Sequence, residues 1–95
     1  MTDNDAPTAA IDLHVNFDAL ASLRKWPSFN NQRRTEFHPY FLLDGSLDEC
    51  IREFMAKPVP ARHLYEIHTS PQPPLFSDVL PGEIIAELAR FREFL

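Results

Sequence analysis

The chain has 95 residues and a formal charge of −5 at neutral pH, which sizes it as one domain and sets its overall field against non-specific binding to nucleic acid or an anionic membrane surface. The hydrophobic share of 44%, with eight Phe, two Tyr and one Trp, supplies bulk for a real but thin core. One cysteine excludes an internal disulfide, and no apolar run approaches the ~20 residues of a membrane-spanning helix.

Residues 1–9 are polar and acidic without periodicity, and read as a disordered tail before a single globular domain over 10–95. This start is not a signal peptide, so a soluble, cytoplasmic protein is expected. Ile11, Leu13 and Val15 alternate with Asp12, His14 and Asn16, the period of two of a short half-buried strand. Phe17 to Trp26 predicts a helix capped by Asn16, with Phe17, Leu20, Ala21 and Leu23 or Arg24 inward and Pro27 ending it. Ser28 to Thr35 has no apolar period and is rich in loop formers, so it reads as an exposed connection. Phe37 to Leu43 has the length and aromatic content of a strand, followed by the turn signal Asp44-Gly45. Pro39 cannot donate to a ladder, which makes this an edge strand or starts it at Tyr40.

The clearest local signal follows. Ser46 and Glu49 have the spacing of a capping box, and Leu47, Cys50, Ile51, Phe54 and Met55 then form one continuous helical face. Asp48 with Arg52 and Glu53 with Lys57 are acid-first pairs on the other side, and Pro58 stops the helix. Cys50 falls on the apolar face, as a small buried hydrophobe. Arg62 to Thr69 alternates as a strand does, with Tyr65, Ile67 and Thr69 on one side; a short helix opening at Pro60 fits the same residues. Ser70 to Pro74 reads as an extended connector that contains a PxxP spacing. The last element is a helix from about Pro81 to Leu95, with Ile84, Leu88, Phe91 and Leu95 in one stripe, Ile85 beside it and Phe94 off it.

In chain order these elements give a small α+β domain of about three short strands with two or three packed helices, the C-terminal one included; a mostly α fold is the alternative. The strand Phe37 to Leu43, the capped helix and the strand Arg62 to Thr69 are expected to form one right-handed βαβ crossover.

Chemistry is sparse. No nucleophile, carboxylate pair or Gly-rich loop has a diagnostic setting, so no catalytic residue, cofactor or metal is assigned. His63 and His68 are spaced to point apart on strand or helix, and do not chelate. The acid-free interval Arg24, Lys25, Arg33, Arg34, interleaved with Trp26 and Phe29, makes Arg33 and Arg34 the candidates for ligand or phosphate contact. The segment Lys57-Pro58-Val59-Pro60-Ala61-Arg62-His63-Leu64 resembles the helix-ProxProxArg segment of small anti-sigma factors of the general stress response, a resemblance that implies a regulator acting on a protein partner. The expected function is a small interaction or regulatory module that binds a protein partner or itself, through Ile84, Leu88, Phe91 and Phe94 of the last helix. Its alternatives are an anti-sigma or antitoxin type of regulator, or a small ligand-binding domain using the Arg24 to Arg34 segment.

Overall fold

The capped segment is a helix, α1 (Leu47–Met55), in the computed structural model, which describes residues 14–94. The Ser46 hydroxyl accepts from the Glu49 amide at 3.1 Å, and the Glu49 carboxylate accepts from the Ser46 amide at 2.8 Å. Two further first-turn amides, of Leu47 and Asp48, donate to the carbonyls of Ala19 and Phe17. The start of α1 is therefore tied both to its own cap and to a distant turn. At the other end Arg62 donates to the Met55 carbonyl, an acceptor that the helix leaves open, and to the Lys57 carbonyl just past the helix. Ser46→Ala should lower stability by about 1 kcal/mol, read as a shift in the denaturant midpoint at unchanged slope. Gly45→Ala should act in the same direction, because a Cβ there collides with the capping oxygen of Glu49.

Before α1 the chain forms β1 (Leu20–Lys25), β2 (Ser28–Phe29), β3 (Gln32–Arg33) and β4 (Tyr40–Ser46). After it come a 3-10 helix (Val59–Leu64), β5 (Tyr65–Thr69), β6 (Val79–Leu80) and the helix α2 (Gly82–Glu93). The fold is α+β: a four-stranded sheet in the order β4-β1-β5-β6, every pairing antiparallel, plus the separate β2-β3 hairpin. Both helices lie against one face. The core is a single cluster in which Leu23, Leu47, Cys50, Ile51, Phe54, Ile67, Leu80 and Ile85 are almost wholly removed from solvent.

Several sequence expectations change here. The helix expected over Phe17 to Trp26 is instead the strand β1, which sits between β4 and β5 with pairing on both sides. Asn16 does not cap a helix; its side chain accepts from the Asp18 amide and closes a turn ahead of β1. Of the strand expected over Ile11 to Val15, residues 11–13 lie outside the described residues, as does the tail 1–9, and His14 to Asn16 are irregular with Val15 buried. The strand expected over Phe37 to Leu43 begins at Tyr40, at the sheet edge, and Asp44-Gly45 continues it to the cap instead of turning. Arg62 to Thr69 divides between both readings: Arg62 to Leu64 close the 3-10 helix and Tyr65 to Thr69 form the strand. The strands flanking α1 are parallel to each other, yet β1 runs antiparallel between them, so β4, α1 and β5 form a split unit and not an adjacent crossover. The connector after Ser70 is not extended throughout, since Gln72 and Phe76 bridge across a turn.

Candidate functional site

The basic segment folds into a hairpin with ties of its own to the rest of the chain. Asn30 and Asn31 both adopt left-handed backbone, at φ 54° and 60°, which is what a two-residue hairpin turn between β2 and β3 requires and what Asn tolerates better than most residues. The hairpin is moored to the 3-10 helix. Asn31 donates from its side chain to the Pro60 carbonyl, His63 donates from Nε2 to the Asn31 carbonyl, and Arg33 donates from Nε to the His63 carbonyl. Arg33 thereby turns into an open bowl of about 470 Å³, whose wall it shares with Arg62, His63 and Glu83 and whose apolar surface comes from Phe54, Val59 and Ala86. Arg34 points elsewhere: it pairs with Glu36 and lies over the Phe37 ring. The two candidate ligand contacts thus separate, and Arg33 is the one of the two that lines this bowl.

Behind Arg33 a carboxylate is held inside the sheet. Glu66 on β5 is 7% exposed; it accepts from Trp26 Nε1 at 2.9 Å and from His68 Nε2 at 2.6 Å, with an Arg33 guanidinium nitrogen at 3.6 Å. Burial alone drives its carboxyl pKa up, but the hydrogen bonds from Trp26 and His68 and the charges of His68 and Arg33 outweigh that, leaving it below the ordinary value. A depressed folded pKa means that Glu66 stabilises the fold above the unfolded carboxyl pKa, and that this contribution fades as pH drops through the folded value. Glu66→Gln should therefore cost about 1–3 kcal/mol near neutral pH, and chemical denaturation from neutral pH down into the acid range should show the variant losing less stability than the native chain.

The C-terminal stripe is divided by its surroundings. Leu88 is 8% exposed and belongs to the core with Ile85, while Phe94 at the helix end is 86% exposed. Ile84 and Phe91 are half-buried around a shallow groove of about 200 Å³, shared with Val15, Leu75 and Phe76. The candidate partner residue Leu88 is thus committed to packing, and Phe94 presents itself fully. Cys50 is fully buried, and burial, helped by the negative charges of Glu49 and Asp44, pushes its thiol up to about 11. His63 and His68 serve separate partners, as their spacing predicts.

Glu66 and Trp26 are not legible as a pair in the sequence. The period of two placed Glu66 on the strand opposite Ile67 and Tyr65, but nothing local announced that Trp26, forty positions away, would turn its indole donor onto it. Compared with protein-family models, with curated proteins and with solved structures, the chain shows no match.

Proposed function

We propose that this protein is a protein-interaction module whose contact surface is centred on the β4 edge. The observation that carries the reading is that Tyr40, Phe41 and Leu42, three consecutive large side chains on an edge strand, are 46%, 60% and 44% exposed. Of the nine large hydrophobic residues left exposed among the described residues, these three with Phe29 and Phe37 make five within one short stretch. Such a concentration on a thin-cored domain is costly in water and suits a surface that a partner covers. Arg24 stacks over the Phe41 ring at 4.4 Å, an arrangement of cation and aromatic favoured in interface cores.

The edge does not invite indiscriminate strand addition. The ladder between β1 and β4 slips by one residue between Leu23 and Arg24, so Leu42 is an extra residue on the β4 side, and Pro39 precedes the strand. A bulge and a proline are both devices that interrupt a continuous edge. Recognition through the side chains of Tyr40 to Leu42 follows from that. The test combines light scattering over a concentration series with affinity capture from the cells of origin, comparing the native chain with Phe41→Ser/Leu42→Lys and with Phe94→Ser. The expected result is an assembly or a specific partner that the edge variant loses at an unchanged thermal midpoint, and that Phe94→Ser keeps. A strictly monomeric chain that retains no partner, or loss confined to Phe94→Ser, overturns the reading.

A further inference from the structure

The bowl beside Arg33 is separate from the β4 edge, and its chemistry points to a small molecule. Arg62 is anchored by two backbone carbonyls, of Met55 at 2.8 Å and Lys57 at 3.1 Å. Carbonyl anchors fix the guanidinium without cancelling its charge, and among the described residues no carboxylate pairs with it, whereas Arg34, Arg52, Arg90 and Arg92 each meet one. Arg62 uses Nε and one terminal nitrogen for those bonds, and among the described residues the other terminal nitrogen has no partner, which leaves it to a ligand. Arg33 contributes a second, partly compensated guanidinium, since Glu66 lies 3.6 Å from one of its nitrogens. The bowl that both cations line also has apolar surface, from Phe54, Val59 and Ala86, and its volume of about 470 Å³ falls within the range of small-ligand sites. Glu83 on the same wall adds one negative charge, which penalises a ligand carrying two.

We propose that this bowl binds a small monocarboxylate with an apolar body, the carboxylate on Arg62 and Arg33 and the body on Phe54, Val59 and Ala86. A guanidinium held in place is the group best matched to a planar carboxylate, and the apolar surface removes the rest of the ligand from water. A bare phosphate satisfies only the first of these features and, when it carries a second charge, meets more repulsion from Glu83 than a monocarboxylate does.

The test is a titration of the full chain with 3-phenylpropionate to about 10 mM, a range that captures millimolar affinity, read by backbone amide and arginine Nε resonances. The expected result is saturable shifts at Arg33, Arg62, His63, Gly82 and Glu83. 3-Phenylpropanamide, with the same body and no charge, should bind about tenfold more weakly or worse. Arg62→Gln should weaken the acid to a similar degree; Ala86→Glu, which leaves the Arg62 anchors in place and puts a carboxylate in the bowl, should abolish the shifts and decides the matter if Arg62→Gln does not fold. Equal binding of acid and amide, stronger response of the same resonances to inorganic phosphate, binding that survives Ala86→Glu, or no shift at these positions overturns the proposal.

Discussion

A chain that ends before Pro81 should fail to fold, showing no cooperative thermal transition and a far-ultraviolet spectrum lacking native helix and strand. The expectation rests on where α2 puts its side chains. Ile85 is fully buried and Leu88 is 8% exposed, both in the one core cluster, and Ile84, Ala89 and Phe91 pack against its margin. Burial of each large aliphatic contributes about 1.5–3 kcal/mol, so Ile85 and Leu88 alone carry a large fraction of the ~5–15 kcal/mol that holds a domain of this kind together. Losing the helix also strips cover from Ile51 and Phe54 of α1, which are 1% exposed. A polar tie goes with them, because Arg92 of α2 pairs with Asp48 in the first turn of α1. Retention of a sharp unfolding transition in the truncated chain would move α2 out of the core and onto the list of partner surfaces. Separating these outcomes needs only a denaturation curve, since an interface helix leaves the monomer's transition intact when removed.

The legible parts of this fold are those whose signal is local. Ser46, Glu49 and the stripe from Leu47 to Met55 carry their own instructions, because a cap and a helical period are completed within a dozen residues, and the helix appears with the expected start and ends at Met55, just short of Pro58. β1 was illegible for the opposite reason. Leu, Ala, Arg and Lys are good helix formers, and Leu20, Ala21 and Leu23 satisfy a helical period as easily as Ala21 and Leu23 satisfy an alternating one. The strand wins because two neighbours, β4 and β5, complete hydrogen bonds along both its edges and bring Leu23 opposite Leu43 and Ile67. Those neighbours begin about twenty and forty residues downstream, so no window centred on β1 contains the reason for its conformation. The turn at Asn30-Asn31 was hidden in a polar stretch for a milder version of the same cause: a paired asparagine turn is a hairpin signal only when flanked by alternating residues, and β2 and β3 are two residues each.

The surface features follow the same division. Composition points to Arg33, but its concavity depends on the hairpin being moored to residues 60–63, and in the sequence Arg62 stands out only as the start of an alternating segment and through a likeness to a helix-ProxProxArg segment. In the structure its work is physical and specific: it closes the Met55 carbonyl at the end of α1 and the Lys57 carbonyl just beyond it, and leaves a charge over the Phe54 ring, 5.8 Å from its centre. The exposure of Tyr40 to Leu42 was equally unreadable, since an apolar run at strand length looks the same whether a sheet surrounds it or stops at it.

Phe54→Ala should destabilise the chain by about 3–5 kcal/mol. Phe54 is the largest side chain that is fully buried; it meets Tyr65 edge to face, with ring centres 6.5 Å apart and planes at 84°, and lies beneath Gly82 where α2 begins. Its ring fills the junction of α1, β5 and α2, which cannot close around an alanine without shifting the sheet or the second helix, so most of the cost remains as a cavity. For a domain of this size the thermal midpoint should fall by roughly 4–8 °C for each kcal/mol lost. Phe54→Leu, which restores much of the volume while giving up the edge contact with Tyr65, should cost clearly less than the alanine change. Phe94→Ser provides the control in the same residue type: at 86% exposure it should move the midpoint by no more than the equivalent of about 0.5 kcal/mol. Equal midpoints for Phe54→Ala and Phe94→Ser would mean that Phe54 is not wedged between the helices and the sheet, and the two-layer packing would have to be rebuilt around another residue.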